Sequence, residues 1–404
     1  MPSDQANQLS RQIPTLLHFL RRETAHLDWP PGETDWQAFA GLCEYHQVTP
    51  FVFCQLKAAE NAPPAALVEY LQRRFYEISA RNYRLAQEAV DLASFLQQRG
   101  IVALAFKGPV AALAAYGDLA LRQYQDIDLV VRDQDLLKTV NLLLLRGFKI
   151  ATGSCRPDNG KDVSRNHEVT LAAPDKSYFI DIHWRLASER AGVFVPDVER
   201  MRDRVETVQL PAGSVSTFCR EDLFVALCCH GAKHRWGRLK WLLDIAEILR
   251  SPVDLNWNRI ETITSERPLA RASTSLAIFL AHDLLNAPMP AALPNALEAT
   301  ARTRSVAEGI RAEIFTYGRT PGIDHNHTTL PELEGSIPAW IQYLWARYPK
   351  WFFEHAIVRI DAKDRALISL PRHLDFLYYI VRPIRLVGKH SIRVARLAEH
   401  STRR

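Results

Sequence analysis

The chain has 404 residues, of which 47% are hydrophobic and 24% are charged, so it holds ample apolar material for a buried core. This composition excludes a disordered or fibrous protein, and the length favours two or three domains. The net charge of +5 takes its sign from residues 381–404, which carry seven basic side chains and one acid. Six cysteines without a CxxC pair favour a reducing compartment. Because no signal peptide or membrane span is evident, we expect a cytoplasmic protein without a transmembrane segment.

Three regions follow one another along the chain. Apolar residues at three- and four-residue spacing predict a helical N-terminal domain over 1–98. The region 99–219 is predicted to be an α/β core, with strands at IVALAFKG, QDIDLVV, HEVTLA and SYFIDIHWRL, a hairpin at VETVQLPAG and SVSTFC, and helices at PVAALAAYG and QDLLKTVNLLLLRG. Helical periodicity returns over 220–404 and ends in a basic amphipathic tail. The expected class is α+β, with a mixed sheet between helical regions.

Two acids, Asp126 and Asp128, interrupt the apolar strand QDIDLVV. Side chains two residues apart on a strand face the same side, about 6.6 Å apart at about 3.3 Å rise per residue. Paired like charges on an apolar strand need a cation, and hard oxygen ligands favour Mg²⁺ or Mn²⁺. The alternative is that both acids lie at an exposed strand end.

The surrounding sequence favours a phosphate and metal site. Upstream, Lys107 and Gly108 form a turn between a strand and a helix, where backbone can approach a ligand and a helix N-terminus can face phosphate. Downstream, Asp181 stands in the apolar run YFIDIHWRL, with His183 two residues later on the same face. Three strand acids following a glycine turn therefore predict one site.

A second group of polar residues lies on the helix LCCHGAKHRWGRLKWLL. His230 and His234 share a face of this helix at four-residue spacing, close to Lys233 and Arg238. The histidine pair, next to two cysteines, is compatible with zinc, although no HExxH acid or CxxC accompanies it. Packing between domains is another interpretation. We favour a third, in which the helix lines a cleft and Lys233, His234 and Arg238 face phosphate or acceptor.

The tail over 381–404 alternates basic and apolar residues at near-helical spacing. Such a helix could contact an anionic surface, either membrane or nucleic acid. The alternative is a helix packed on the body of the protein with its arginines in solvent.

The runs AFKGPVAALAAYGDLALRQYQDIDLVV, FIDIHWRL and LCCHGAKHRWGRLKWLLDIAEIL resemble the uncharacterised bacterial nucleotidyltransferases of the DNA polymerase β superfamily, the NTP_transf_5-type family. The resemblance covers about residues 35–250 and extends more loosely to PRHLDFLYYIVRPIRL. It implies a polymerase-β-like core and a two-metal transfer of NMP from an NTP, with ATP expected, to an acceptor, releasing pyrophosphate.

The resemblance also implies roles for individual residues. Asp126 and Asp128 would hold the metal that carries the NTP phosphates, and Asp181 would share the second metal and help activate the acceptor hydroxyl. Lys107 and Arg122 would contact phosphate. The expected catalytic and metal-binding residues are Asp126, Asp128 and Asp181, and the expected nucleotide-binding residues are Lys107, Gly108, Arg122, His183, Lys233, His234 and Arg238.

One residue departs from the superfamily pattern, because Gly108 is followed by Pro109 where most members have serine. Proline lacks the N–H and the hydroxyl that would contact phosphate. Either Lys107 compensates, or triphosphate binding is weakened. Two alternative functions stay open, a catalytically inactive nucleotide-binding or scaffold protein and a nucleic-acid-binding protein that uses its tail. The acceptor, whether small molecule, peptide or protein, or RNA end, is also open.

Overall fold

The computed structural model describes residues 2–23, 33–57, 63–152, 168–185, 202–265, 267–317 and 332–333. All of them belong to the larger of the two compact units into which the chain divides. The basic tail over 381–404 lies outside the described residues, so its role stays a prediction, as do the domain boundaries near 98 and 219. No helix in the described part of the chain is long and apolar enough to cross a membrane.

Helices precede and follow a run of strands. Within the described residues the α-helices are α1 (Pro2–Arg21), α2 (Glu33–His46), α3 (Thr49–Leu56), α4 (Ala65–Gln97), α5 (Gly108–Tyr116), α6 (Leu136–Leu145), α7 (Arg220–Lys233), α8 (Leu239–Arg250), α9 (Trp257–Ser265), α10 (Pro268–Leu285) and α11 (Ala301–Tyr317). The strands are β1 (Leu104–Phe106), β2 (Asp126–Val130), β3 (Lys149–Thr152), β4 (Glu168–Ala172), β5 (Phe179–His183), β6 (Val205–Leu210) and β7 (Gly213–Phe218).

The strands form one mixed seven-stranded sheet in the order β3-β4-β5-β2-β1-β7-β6. The pairs β2/β5 and β1/β7 are parallel, and the other neighbours are antiparallel. The predicted α+β class, with a mixed sheet flanked by helices, is confirmed. The predicted strands and the hairpin β6/β7 are present, whereas the edge strand β3 was not predicted.

The central strand β2 alternates acids with apolar residues, and this alternation fixes which side of the sheet the acids face. Ile127 and Leu129 are fully buried, and successive strand side chains point to opposite faces. The long helix α4 packs against β1, β2, β6 and β7. Burying each such aliphatic side chain contributes about 1.5–3 kcal/mol. A one-residue slip of β2 would lose this burial and turn the acids to the other face.

Helices from both ends of the described chain pack together. Helix α1 packs against α2, α10 and α11, and α7 packs against α8, α9 and α10. Helix α5, which leaves the sheet after β1, packs against α8. The helices α7 and α8 are thereby fixed beside the helix that begins at the Lys107–Gly108 turn.

The turn between α7 and α8 is tight and depends on one glycine. Arg235 and Trp236 both have left-handed backbone, with φ of 49° and 50°. The Trp236 N–H donates to the Gly231 carbonyl at 2.9 Å, and the indole of Trp236, 1% exposed, packs over Gly231. A Cβ added at Gly231 would lie 2.2 Å from Cζ3 of that ring.

We therefore expect Gly231→Ala to lower the free energy of unfolding by about 1–3 kcal/mol, because the buried ring must shift. Gly41→Ala in α2 is the control, since a Cβ there would meet no heavy atom of the described residues within 4 Å. It should be neutral or stabilise by up to about 1 kcal/mol. Urea denaturation followed by circular dichroism measures both, and equal effects of the two variants would contradict this packing.

Candidate active site

Strand register brings the predicted acids together. In β2, Asp128 pairs with Phe106 of β1 on one side and with Asp181 of β5 on the other. In turn, Asp181 pairs with Thr170 of β4. Directly opposed residues on neighbouring strands share a face. Asp128 and Asp181 are therefore adjacent in one row across the sheet, in the order Phe106, Asp128, Asp181 and Thr170.

The carboxylate of Asp128 is the most enclosed of the three acids, with the residue 5% exposed. Its Oδ1 accepts from Lys107 Nζ at 3.0 Å and lies 2.9 Å from His183 Nε2. Burial alone would raise the pKa of Asp128, but the Lys107 charge and the His183 hydrogen bond hold it at about 2. The Asp128 carboxylate is therefore a fixed negative charge at neutral pH.

The other two acids, Asp126 and Asp181, have raised pKa values in this arrangement. Burial and then the charge of Asp128 raise the pKa of Asp181 to about 6, although Thr170 Oγ1 donates to its Oδ1 at 2.6 Å. Burial and Asp128 also raise the pKa of Asp126. Both shifts have the direction expected where like charges crowd together, and a cation placed among these carboxylates would relieve them.

The side chains that could hold such a cation are Asp128, Asp181 and His183, whose ligand atoms all lie within 4.8 Å of one another. Asp126 belongs to the sequence-predicted set, but it is not part of this group among the described residues. Conversely, His183, which we predicted to bind nucleotide, lies in the metal-competent group. Two carboxylates with an imidazole fit a divalent cation, and the carboxylates favour Mg²⁺ or Mn²⁺.

His183 is oriented by residues on both sides. Its Nδ1 lies 3.3 Å from Oε2 of Glu168, which is its register partner on β4, and the edge of its ring meets Phe106 at a centroid distance of 6.3 Å. The ionised Asp128 carboxylate can only accept a hydrogen bond, so Nε2 of His183 carries the proton of that contact. Neither Glu168 nor Thr170 was predicted from sequence.

The Lys107–Gly108 turn has an uncommon backbone. Lys107 has φ 60° and ψ −141°, and Gly108, the first residue of α5, has φ 43°. A Cβ on Gly108 would lie 3.8 Å from the Asp126 carbonyl oxygen, so the N-terminus of α5 is close to the start of β2. Pro109 lies in the first turn of α5, where helices tolerate a missing N–H.

The helix α7 carries Lys233 toward this site. Burial lowers the pKa of Lys233, and its ammonium lies in the field of Glu168, Lys107 and Asp128. Beside it, His234 stacks on Trp241 at a centroid distance of 5.0 Å and an interplanar angle of 28°. Among the described residues, the metal-competent group contains neither His234 nor His230. The structure thus offers no support for the zinc interpretation of this pair.

Two arginines that we predicted to contact phosphate are hydrogen-bonded to other groups of the protein. Arg122 is buried and pairs with Asp244 through Nε at 3.0 Å and Nη2 at 3.0 Å. Arg238 donates from Nη1 to the Tyr45 carbonyl at 3.0 Å. Both guanidinium groups dock α8, through Asp244 and through the start of that helix. Their contact with phosphate stays a prediction.

Lys240 is a further amine near the acids. Its Nζ donates to Oε1 of Gln47 and to the Gln123 carbonyl at 3.2 Å. Burial lowers its pKa to about 7, with Arg122 adding to the shift and Asp244 and Asp126 opposing it. No carboxylate is among its hydrogen-bond partners in the described part of the chain.

Residues 32–286 match a family model described as uncharacterised nucleotidyltransferase. No curated protein matches the chain. Among solved structures, it is similar to the crystal structure of an antigenic nucleotidyltransferase-like protein from Paracoccidioides brasiliensis, with 13% identity, a TM-score of 0.29, and coverage of 48% of this chain and 92% of that one.

The pKa of Lys240 predicts how stability depends on pH. Its folded value of about 7 lies below the ordinary value of 10.5, so between these values the unfolded chain binds a proton that the folded chain lacks. Stability from this group therefore rises with pH, by at most about 1.4 kcal/mol per pH unit. We expect Lys240→Met to be stabilised relative to wild type near pH 7, with the gain shrinking toward pH 10.

Urea denaturation at pH 7, 8.5 and 9.5 measures this difference. The matched control is Lys138→Met, which removes a lysine from an exposed position on α6. A constant difference in unfolding free energy between wild type and Lys240→Met across this pH range would contradict the assignment.

Proposed function

Since the chain belongs to the family of uncharacterised nucleotidyltransferases, we propose that it transfers a nucleoside monophosphate from an NTP, with ATP expected, to an acceptor hydroxyl or phosphate. Pyrophosphate is the leaving group. The observation that carries this proposal is the placement of Asp128 and Asp181 side by side on neighbouring strands, with Lys107 of the preceding turn in contact with the first of them.

The proposed cofactor is Mg²⁺ or Mn²⁺, held by Asp128 and Asp181 with Asp126 as a further carboxylate. The residues fit this ion, because carboxylates are its preferred ligands, and burial together with the charge of Asp128 raises the pKa of Asp126 and Asp181. When bound, divalent ions in such sites neutralise charge that develops on the attacking and leaving oxygens. The polymerase-β-like resemblance implies a mechanism that uses two such ions.

The cationic side chains are proposed to bind the phosphates. Lys107 and Lys233 are point charges suited to non-bridging phosphate oxygens. Gly108 has no side chain between the backbone and a ligand, and the N-terminus of α5 carries a partial positive charge. Pro109 removes one N–H from that terminus, and the charge of Lys107 is proposed to compensate for it.

Asp181 is the proposed acceptor of the proton from the attacking hydroxyl. Its pKa of about 6 in the metal-free protein leaves it mainly ionised at neutral pH, and a bound cation would keep it ionised, so it can accept a proton. Thr170 holds one of its oxygens, which leaves the other for the acceptor. His183 is the proposed positioning residue for Asp128, because it fixes that carboxylate from the side of β5.

The catalytic role proposed for the Asp128 carboxylate can be tested without knowing the acceptor. The protein is incubated with each α-labelled NTP, Mg²⁺ or Mn²⁺ and candidate acceptors, and pyrophosphate release and label transfer are measured. We expect Asp128→Asn to lower both rates by about 10²–10³-fold or more, since it removes a charge that the transition state needs.

The matched control is Asp175→Asn, which changes an exposed acid in the turn between β4 and β5 that accepts from the Ser177 N–H at 2.9 Å. Its rates should stay near those of wild type. If Asp128→Asn released pyrophosphate as fast as wild type, the site assignment would be wrong. NTP binding by the wild type with no pyrophosphate release for any acceptor would instead favour the inactive nucleotide-binding alternative.

A further inference from the structure

Lys107 contacts the carboxylate of Asp128, which belongs to the group that could hold a metal ion. Its Nζ lies 3.0 Å from Oδ1 of Asp128, and His183 Nε2 lies 2.9 Å from the same atom. Asp128 is also one of the three residues whose ligand atoms group within 4.8 Å. An ammonium and a divalent cation cannot share one carboxylate oxygen at contact distance without strong repulsion.

The backbone of Lys107 makes this contact specific. A non-glycine residue at φ 60° and ψ −141° is in a sparsely populated region and persists only where the surroundings hold it. That conformation lies between the end of β1 and the start of α5, and it carries the side chain to the neighbouring strand β2. Because the lysine stem has four rotatable bonds, the ammonium can leave Asp128 by changing rotamers while the backbone stays in place.

We propose that Lys107 is an exchangeable counter-cation, which neutralises Asp128 in the nucleotide-free protein and gives up this oxygen to the metal ion as NTP enters. The ammonium then moves to a phosphate oxygen. This inference rests on the proposed function and assigns Lys107 a second role as a positioning residue. Its consequence is that metal ion and nucleotide bind cooperatively, since the metal alone must displace the Lys107 ammonium from its ion pair with Asp128, whereas with NTP present the ammonium gains a phosphate oxygen.

The test measures Mn²⁺ binding to the nucleotide-free protein by electron paramagnetic resonance of free Mn²⁺. Lys107→Met should bind Mn²⁺ about tenfold or more tightly than wild type, because the competing ammonium is gone. Lys240→Met is the matched control, since it removes a nearby ammonium that donates to Gln47 and Gln123. Its Mn²⁺ affinity should change much less. Equal shifts in the two variants, or no shift in Lys107→Met, would overturn the exchange.

A second measurement uses the wild-type protein and does not depend on the folding of a variant. Lysines are reductively methylated with and without Mn²⁺, and modification is quantified by peptide mass spectrometry. Mn²⁺ should raise the modification of Lys107 relative to Lys240, because the ammonium is released from Asp128. Unchanged modification of Lys107 at saturating Mn²⁺ would overturn the exchange.

Asp128→Asn separates this inference from the proposed function. If Mn²⁺ binds wild type and Lys107→Met equally and is lost in Asp128→Asn, the exchange fails and the metal site stands. If neither wild type nor Lys107→Met binds Mn²⁺ while both remain folded, the metal site of the proposed function fails, and the exchange fails with it.

Discussion

A buried carboxylate in the middle of a sheet must be paired, and the pairing of Asp128 organises the whole site. Its Oδ1 meets Lys107 from the end of β1 and His183 from β5. Both partners can reach Asp128 because β2 lies between these two strands. Burial and the fixed charge on Asp128 together raise the pKa of Asp181. Sheet order, charge pairing and acid–base properties are therefore consequences of one arrangement.

The helices complete the site through polar contacts that are distant in sequence. Arg122, just before β2, pairs with Asp244 of α8, and Tyr116 of α5 donates to Asp244 at 2.9 Å. Desolvation offsets most of the favourable energy of a buried ion pair, so the pair adds little net stability. Removing one partner, however, is destabilising because it leaves the other charge buried and unpaired. This pair fixes where α8 lies relative to β2 and α5. The tight turn before α8 joins it to α7, which ends at Lys233.

Much of this site follows from local sequence patterns, but its internal contacts do not. Asp126, Asp128 and Asp181 stand out as acids in apolar strands, and the Lys107–Gly108 turn is marked by its glycine. Thr170 is a common residue in an ordinary strand, and it gains a role only when β4 pairs with β5 in one register. No local pattern gives that register. Strand β3 was missed because it is a short edge strand directly after a helix, with no apolar run of its own.

The roles of arginines were the least predictable feature. Arg122 lies just before the acids in sequence, and the family resemblance implied a phosphate contact for it. The structure buries its guanidinium against Asp244, a residue of a helix far along the chain. Side-chain pairing across such a separation depends on how helices dock, which sequence periodicity does not determine. Lys233 lies in the field of Glu168, Lys107 and Asp128, and its contact with phosphate stays a prediction.

The central claim is that Asp128 and Asp181 form the metal-binding centre of a nucleotide site. Anomalous diffraction at the manganese edge, from crystals grown with Mn²⁺ and a non-hydrolysable NTP analogue, tests it most directly. We predict an anomalous peak at ligand distance from both carboxylates, with the triphosphate beside it and the Lys107 ammonium moved from Asp128 to phosphate. A bound nucleotide with no peak at these carboxylates, or a peak at another site, would contradict it.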